Sequence, residues 1–429
     1  MRAAFFTLGC KVNQYETSVL MRQFAEQGFE IVPPAAQAEV YVVNSCTVTA
    51  EGDRKSRQML RRFRRQNPRA VVALCGCFPQ AFPKAAESIP EADVVVGTKG
   101  RAQLLRLVLD KLAGAERVVD ILPHTPGEVF EPMQAKAFAN HTRAFLKIQD
   151  GCERYCAYCI IPEARGPVRS KPLQDIRNEL MGYVEAGYRE VVLVGINLSC
   201  YGLDLGLRLW DAIELACGIP GIGRVRLGSL EPELLTPADI RAMAQLPKLC
   251  PQFHLSLQSG CNETLYRMNR QYTTAEYHDI VKNLRTAFPH AAITTDVMVG
   301  FPGESEEEFS QSMAFVREIG FAKAHVFAYS KRPGTAAAGM GGQVPEETKA
   351  ARSKQMAQTA EDGQNAFLQS QIGSEAGVLF EAQTTPGIWE GYSENYTHVR
   401  VTSEQNLYGK IERVRLNGLL RESCTGELV

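Results

Sequence analysis

The first 122 residues alternate between short apolar runs and longer stretches in which apolar residues recur at helical spacing. Strands are predicted at 3–7, 40–43, 70–74 and 93–96, and helices at 17–27 and at about 53–66. Strands that alternate with helices in this way are typical of a parallel sheet. Residues 1–122 are therefore predicted to form an N-terminal α/β domain built on a parallel sheet.

A second series of strand-like runs follows a connector at 123–142 that is rich in proline and polar residues. Its six strands are predicted at 144–148, 190–194, 224–228, 253–257, 292–297 and 324–328. Six such steps predict a partial (β/α)6 barrel, open on one side, with its site in the loops at the carboxyl ends of the strands. A long helix from Glu346 to about Gln371, weakened at Gly363, is expected to pack back across this barrel.

The last 56 residues show short alternating runs that are punctuated by glycine and asparagine. Such runs predict a small C-terminal β-barrel. The fold class of the whole chain is therefore predicted to be α/β. Its three domains are an N-terminal parallel-sheet domain at 1–122, a central partial barrel with its trailing helix at 143–373, and a small β-barrel at 374–429.

The composition fits a globular protein of two or three domains, with 429 residues, 45% hydrophobic and 22% charged. No apolar run is long enough to cross a bilayer, so we expect a cytoplasmic protein that does not use a membrane. Twelve cysteines in that compartment favour reduced thiols that hold metal over disulfides. The net charge of −1 requires any nucleic-acid contact to come from a local basic patch.

Three cysteines at positions 152, 156 and 159 form a C-x3-C-x2-C cluster in the central region. Closed zinc and electron-transfer sites use four protein ligands, so three thiolates suit a 4Fe-4S cluster with one open iron. The cluster motif resembles that of the radical S-adenosylmethionine (SAM) superfamily. That resemblance implies that the open iron binds SAM, and it makes Cys152, Cys156 and Cys159 the catalytic metal ligands.

Three more cysteines each follow a predicted strand of the N-terminal sheet. They are Cys10, Cys46 and Cys77. Turns beyond the carboxyl ends of parallel strands meet in one crevice, so these thiols are predicted to form a second three-thiolate metal site. Cys75 competes with Cys77 because residues two apart on a strand face the same way. We favour Cys77, since it lies just beyond the apolar run.

Several motifs occur in an order that resembles the radical SAM methylthiotransferases over essentially the whole chain. They are Thr7-Leu8-Gly9-Cys10-Lys11-Val12-Asn13-Gln14-Tyr15-Glu16, Asn44-Ser45-Cys46-Thr47-Val48-Thr49, Gly76-Cys77-x-x-Gln80 and the central cysteines. The residues after Cys10 are most similar to the MtaB-type branch. The resemblance implies two 4Fe-4S clusters, and SAM used both for radical generation and for methylation of sulfur.

The implied substrate of that branch is N6-threonylcarbamoyladenosine beside the anticodon of tRNA, which receives a methylthio group at C2. An external electron donor and a sulfur donor are implied as partners, and we expect a monomer. A methylthiotransferase acting on isopentenyl-adenosine tRNA or on a ribosomal protein is the alternative. A remote alternative is an iron-sulfur RNA-binding protein without catalytic activity.

Loops at the predicted strand ends of the central region supply candidate SAM contacts. Glycine admits a close backbone approach, and amide, hydroxyl and carboxylate groups bond to ribose, amino and carboxylate groups. The candidates are Gly195, Asn197, Ser229, Glu231, Gln258, Gly300 and Gly303.

Two regions are candidates for RNA binding. The C-terminal barrel resembles the TRAM domain, which implies base stacking by Trp389, Tyr392, Tyr396 and Tyr408 and phosphate contact by Arg400, Lys410, Arg413 and Arg415. This region nevertheless has eight Glu against five Lys plus Arg. The other candidate is a basic run in the first domain, formed by Arg54, Lys55, Arg57, Arg61, Arg62, Arg64, Arg65 and Arg69.

Overall fold

The N-terminal part of the chain is a six-stranded parallel sheet with helices on both faces. This is seen in a computed structural model, which describes residues 1–135 and 142–429. The strand order is β2-β1-β3-β4-β5-β6. The elements are β1 (Arg2–Thr7), α1 (Lys11–Glu26), β2 (Glu30–Val32), β3 (Val40–Ser45), α2 (Ala50–Gln66), β4 (Val71–Gly76), α3 (Cys77–Ala81), α4 (Pro83–Glu87), β5 (Val94–Val96), α5 (Leu104–Leu112) and β6 (Val118–Asp120).

Two apolar cores sandwich this sheet, one beneath α1 and α5 and the other beneath α2 to α4. The four predicted strands are present. The three-residue edge strands β2 and β6 were not predicted, because they have no buried apolar run. Helix α1 begins six residues before the predicted start. Its first turns bury the polar side chains Asn13 and Glu16, which interrupt the amphipathic pattern.

The central region is an open, curved arrangement of parallel strands, as predicted. Strands β11-β10-β7 form one sheet and β12-β13-β14-β15 another, linked by a bridge between Val225 and Leu249. One large apolar core fills the space around them. The elements are β7 (Arg143–Lys147), β8 (Gln149–Asp150), α6 (Ile161–Arg165), β9 (Arg169–Ser170), α7 (Leu173–Glu185), β10 (Glu190–Val194), α8 (Leu209–Gly218), β11 (Arg224–Leu227), β12 (Ser229–Leu230), α9 (Pro237–Met243), β13 (Gln252–Leu255), α10 (Asn262–Arg267), α11 (Thr274–Ala287), β14 (Ala292–Val299), α12 (Glu306–Ile319), β15 (Lys323–Ala328) and α13 (Ala336–Gly339).

The long helix α14 (Glu346–Gln371) packs along β15 and α12, on the last strand of the open barrel. The helix runs through Gly363 without a break, contrary to the predicted weakening. A β-carbon at Gly363 would lie 3.1 Å from the carbonyl oxygen of Phe321. Glycine at this position therefore lets the helix approach the backbone beneath it.

The C-terminal region is a closed five-stranded barrel, which confirms the predicted β-barrel. Its strand order is β16-β17-β18-β20-β19. The strands are β16 (Glu375–Thr385), β17 (Ile388–Ser393), β18 (His398–Thr402), β19 (Ile411–Leu420) and β20 (Ser423–Leu428). The prediction that Trp389 stacks on bases is wrong, because its ring is buried in the apolar core of this barrel.

The small barrel is docked onto the central strands by buried arginines. Arg224 Nη2 donates to the carbonyl of Gly377 at 2.7 Å, and Arg226 Nη1 donates to the carbonyl of Glu394 at 2.9 Å. Both guanidiniums also face the carboxylate of Glu190, which is 1% exposed. Charge pairing therefore fixes the position of the small barrel.

The predicted connector at 123–142 includes residues 136–141, which lie outside the described residues. Its described part is bound to both neighbouring regions, since Glu128 pairs with Lys99 at 2.7 Å and with Arg169 at 2.6 Å. Among the helices that the structure describes, none combines the length and apolarity required to span a membrane.

Candidate functional site

Cys10, Cys46 and Cys77 lie together at one edge of the N-terminal sheet. They follow β1, β3 and β4, which are adjacent parallel strands that end in register, with Thr7 opposite Asn44 and Ser45 opposite Gly76. The loop after β1 approaches Cys46 so closely that a β-carbon at Gly9 would lie 2.9 Å from its Sγ atom. Gly9 adopts φ +101°, which other residues rarely adopt. A glycine is therefore required where these two turns meet.

The thiols at this edge of the sheet interact electrostatically. Burial raises the pKa of Cys77 to about 12; Arg165 opposes this rise, and the thiols of Cys46 and Cys10 add to it. Burial also raises the pKa of Cys46, again with a contribution from Cys10. Cys75, by contrast, lies in the apolar core of the sheet. Thiols of raised pKa that face one another release protons when a metal binds.

The central cysteines lie on a loop between β8 and α6 that backbone hydrogen bonds hold in place. The N–H of Cys152 donates to the carbonyl of Gly166 at 3.0 Å, and that of Cys159 donates to the carbonyl of Cys156 at 2.9 Å. Burial, followed by the thiol of Cys156, raises the pKa of Cys159 to about 12.

Polar donors also point at these sulfur atoms. The backbone N–H of Ile161 lies 3.4 Å from Cys159 Sγ, and Arg270 Nη1 lies 3.3 Å from Cys156 Sγ. Asn197 Nδ2 lies 3.7 Å from Cys152 Sγ. Hydrogen bonds to cysteine sulfur are one of the means by which proteins tune iron-sulfur clusters.

Each cysteine trio supplies three thiols, which is the donor set of a 4Fe-4S cluster with one open iron. Over 1–135 and 142–429, no three His, Cys, Asp or Glu side chains converge closely enough to hold one metal ion. In a four-iron cluster each thiolate binds a different iron, so the sulfur atoms stand further apart than they do around one ion. At the central site N–H donors face all three sulfurs, and at the N-terminal site Arg165 donates to Cys77, as suits sulfur that is bound to a cluster.

Arg165 connects the two trios. It ends α6, the helix that follows the central cysteine loop, and its Nε atom donates to Cys77 Sγ at 3.2 Å. Helix α6 packs against α3, which begins at Cys77. The region that follows one trio is therefore in direct contact with the other trio.

A fully buried ion cluster lies beneath this contact. Glu16 faces Arg101 at 2.7 Å, Lys147 at 2.7 Å and Arg165 at 2.6 Å. Burial alone would raise the pKa of Glu16, but these three cations hold it well below its ordinary value. Asn13 extends the cluster, because its Oδ1 accepts from Arg165 and its Nδ2 donates to the carbonyl of Ser45 at 3.0 Å.

This cluster explains residues that sequence reasoning did not single out. Arg165 and Arg270 were missed because only the fold brings them to the cysteines. Glu16 lies within the motif that begins at Cys10, on the face of α1 that is buried. A glutamate on such a face indicates that it has a partner of opposite charge. That signal identifies the residue but does not identify its partners.

Four of the predicted SAM contacts lie at the carboxyl ends of central strands. Asn197 and Glu231 are nearest to the trio, since Asn197 lies beside Cys152 and Glu231 pairs with Arg270. The Oδ1 atom of Asn197 is buried and has no hydrogen-bond partner among the described residues. Ser229 is exposed, and Gln258 adopts φ +65° while its N–H donates to the carbonyl of Asp296.

The three predicted glycine contacts have close protein neighbours. A β-carbon at Gly300 would meet the side chain of Lys349 at 2.4 Å, and one at Gly195 would meet Gln149 at 2.8 Å. Gly303 donates its N–H to the carbonyl of Gly342. Packing and turns therefore account for these glycines, and contact with SAM stays a prediction.

The basic run on α2 is partly neutralised in the structure. Arg54 pairs with Glu51 at 2.6 Å, and Arg64 pairs with Asp93 at the same distance. Arg61 faces Glu91 at 3.3 Å. Arg57, Arg62, Arg65 and Arg69 are exposed, and none of them has an ion pair among the described residues. The basic surface is therefore smaller than the sequence indicated.

Comparison with known proteins agrees with this arrangement. Residues 2–97 match the model described as Uncharacterized protein family UPF0004, and residues 146–316 match the Radical SAM superfamily. The structure is similar to that of the radical SAM methyltransferase TsrM from Kitasatospora setae, with a TM-score of 0.59 and 14% identity over 79% of this chain and 77% of that one.

Curated relatives cover nearly the whole chain. The threonylcarbamoyladenosine tRNA methylthiotransferase MtaB of Bacillus subtilis is 39% identical over 96% of this chain and 93% of its own length. The protein of the same name from Thermotoga maritima is 36% identical over 99% and 96%. A tRNA-2-methylthio-N(6)-dimethylallyladenosine synthase from Pelotomaculum thermopropionicum is 33% identical over 98% and 96%. The chain therefore belongs to the radical SAM methylthiotransferase family, in its MtaB-type branch.

Proposed function

We propose that this chain adds a methylthio group to C2 of N6-threonylcarbamoyladenosine beside the anticodon of tRNA. The observation that carries the proposal is the contact of Arg165, on the helix that follows the central cysteine loop, with Cys77 of the other trio. The names of the MtaB relatives support the choice of substrate. The hydrogen at C2 of adenine is neither acidic nor a leaving group, so side-chain acids and bases are insufficient and cofactors must supply the difficult step.

Cys152, Cys156 and Cys159 are proposed to hold one 4Fe-4S cluster, which leaves an iron for SAM, and Cys10, Cys46 and Cys77 are proposed to hold the other. When bound, these groups supply reductive cleavage of SAM and the sulfur that is methylated and transferred. Arg165 and Arg270 donate hydrogen bonds to cysteine sulfur at the two sites. Asn197, which faces Cys152, and Glu231, which pairs with Arg270, are proposed to orient SAM.

The rest of the chain is proposed to bring tRNA to this site. The exposed arginines of α2 and the C-terminal barrel, which we interpret as a TRAM-like domain, are the proposed RNA contacts. Proposed boundaries of the three domains are 1–122, 143–373 and 374–429. Electrons and sulfur come from external donors, and we expect the protein to act in the cytoplasm.

The decisive experiment combines anaerobically reconstituted protein, a reductant, SAM and tRNA that carries N6-threonylcarbamoyladenosine. Mass spectrometry of the digested nucleosides is expected to show the 2-methylthio derivative. Replacing Cys152, Cys156 and Cys159 together by Ala should abolish the product and lower the iron content from about eight to about four per chain. Product formed only from isopentenyl-adenosine tRNA, or only on a ribosomal protein, would overturn the assignment.

A further inference from the structure

A charged cavity of about 330 Å³ lies where the three regions of the chain meet. Helix α1 contributes Lys11 and Gln14, the central strands contribute Arg143 and Arg226, and the C-terminal barrel contributes Tyr396. None of these side chains was assigned to the clusters or to SAM above. The cavity is thus a separate recess that all three regions build together.

The cavity is lined by more cations than carboxylates. Arg143 pairs with Glu381 at 2.7 Å, and Arg226 pairs with Glu190 at 3.0 Å. Lys11 makes no hydrogen bond or ion pair with any residue that the structure describes, although water reaches it. Among the described residues, three cations thus line the cavity with one carboxylate, that of Glu381. A cation in a recess without a partner favours an anionic ligand.

The wall opposite Lys11 is fixed in place. Arg226 donates to the carbonyls of Glu394 and Ser393, at 2.9 and 3.2 Å, and its guanidinium lies 4.8 Å from the centre of the Tyr396 ring. Tyr396 adopts φ +68°, a conformation that costs free energy outside glycine and persists only when its surroundings enforce it. A recess ordered before binding loses less entropy when its ligand arrives.

The position of the cavity relates it to the chemistry. Lys11 directly follows Cys10, a proposed ligand of the N-terminal cluster. A substrate group held at Lys11 is therefore attached to a base that lies close to this cluster. The threonylcarbamoyl substituent at N6 of adenine fits, because it ends in a free carboxylate and also carries urea N–H and C=O groups and a hydroxyl. An isopentenyl group has no polar atom with which to pair Lys11.

We propose that this cavity binds the threonylcarbamoyl arm of the substrate, with the ammonium of Lys11 paired to its carboxylate. The inference rests on the proposed function and adds the residues that choose the substrate. A site built to pair a charged group disfavours an analogue that lacks it, since Lys11 then stays without a partner. Lys11 is thus a specificity-determining residue rather than a cluster ligand.

The test compares two anticodon stem-loop RNAs that differ only in this arm. One carries the natural carboxylate, and the other carries the uncharged threonine amide. For the unaltered protein we expect kcat/KM to be about 10- to 100-fold higher for the carboxylate, as a hydrogen bond to a charged group predicts. Lys11→Gln should lose most of this preference by losing activity on the carboxylate alone. Its dissociation constant for the carboxylate RNA should rise correspondingly.

Controls separate this inference from the proposed function. Lys354→Gln, an exposed lysine on α14, should keep the full preference. Lys11→Gln should retain its iron content and its cleavage of SAM. Equal activity of the unaltered protein on both RNAs would overturn the inference and leave the proposed function intact. An equal loss on both RNAs in Lys11→Gln would also overturn it. No activity of the unaltered protein on either RNA would instead overturn the proposed function.

Discussion

At the scale of single residues, the two candidate thiols on β4 and α3 differ sharply in surroundings. Cys75 contributes to the apolar core of the sheet, whereas Cys77 begins α3 and accepts a hydrogen bond from Arg165. Sequence spacing left both residues as possible ligands, because they are two positions apart. The fold favours Cys77, since its sulfur lies beside a cation that stabilises a thiolate.

We therefore expect Cys77→Ala to lower the iron content from about eight to about four per chain, whereas Cys75→Ala keeps about eight. The reason is that only Cys77 belongs to the group that includes Cys10 and Cys46. Iron and sulfide analysis of anaerobically purified protein measures both outcomes. If the two variants exchanged these results, the ligand would be Cys75.

The residues that sequence reasoning missed have a common physical character. Each acts across a long separation in sequence, as Arg165 does toward Cys77 and Arg270 toward Cys156. Metal-ligating cysteines follow local rules of spacing and strand position, so the sequence predicts them. The arginines that surround them depend on how α3, α6 and the barrel loops pack, and no local pattern contains that information.

At the scale of elements, helix α2 presents the arginines best placed to contact RNA. Four cations of its basic run are paired with acids, since Arg54 and Lys55 pair with Glu51, Arg61 with Glu91 and Arg64 with Asp93. The sequence could not reveal the pairs with Glu91 and Asp93, which lie far from the run. Arg62 and Arg65 are exposed and have no ion pair among the residues described. Phosphate contact is the interaction that such unpaired surface cations favour.

The double variant Arg62→Ala, Arg65→Ala should weaken tRNA binding and lower the slope of log affinity against log salt by about two. A binding titration at several salt concentrations measures this slope. Arg106→Ala on α5, where the cation is already paired with Asp110, is the matched control and should leave the slope nearly unchanged. Equal slopes for the unaltered protein, the double variant and Arg106→Ala would show that α2 does not contact RNA.

Helix α14 shows why packing can favour glycine inside a helix. The sequence predicts its span, because composition and helix propensity act locally. It does not predict the role of Gly363, since the reason is the carbonyl of Phe321 on another element. An alanine here would be 3.1 Å from that oxygen, closer than such contacts normally allow.

Replacing glycine by alanine inside a helix normally stabilises a protein by about 0.5–1 kcal/mol. We expect that gain for Gly182→Ala on α7, where an added β-carbon has no neighbour within 4 Å. Gly363→Ala should instead cost about 1–3 kcal/mol, because the helix must move away from β15 and α12. Chemical denaturation of both variants measures whether each substitution raises or lowers the free energy of unfolding. A gain at Gly363 would show that the helix adjusts freely.

At the scale of the whole molecule, Glu190 joins the small barrel to the central region. Burial would raise its pKa, but Arg226, Arg143 and Arg224 lower it below the ordinary value. The sequence predicts each of the two folds separately, because both depend on local alternation. Their docking depends on a carboxylate and three arginines that lie on β10, β7 and β11, so only the assembled structure reveals it.

Glu190→Gln should lower the free energy of unfolding at pH 7 by roughly 3–5 kcal/mol, since the buried guanidiniums of Arg224 and Arg226 lose a counter-charge. A carboxyl with a lowered folded pKa stabilises fully above its unfolded pKa of about 4.3 and loses this contribution as the pH falls through the folded value. The difference between the two proteins should therefore stay constant from pH 8 to 5.5 and shrink below about 4.3. Denaturation at a series of pH values measures it.

Glu185→Gln is the matched control, because Glu185 is an exposed carboxyl on the preceding helix. It should change stability by less than about 0.5 kcal/mol at every pH. A Glu190→Gln penalty that was already small at pH 7 would mean that the arginines keep sufficient partners in the carbonyls of the C-terminal barrel.

The ion cluster around Glu16 limits how this protein can be divided for study. Glu16 and Arg101 come from the N-terminal region, while Lys147 and Arg165 come from the central region. A fragment that ends near residue 122 would expose Glu16 to solvent with one of its three cations left. In the complementary fragment, Lys147 and Arg165 would lose Glu16 and keep only their pairs with Asp150. Iron binding measured on separate fragments would therefore not represent either cluster site of the intact enzyme.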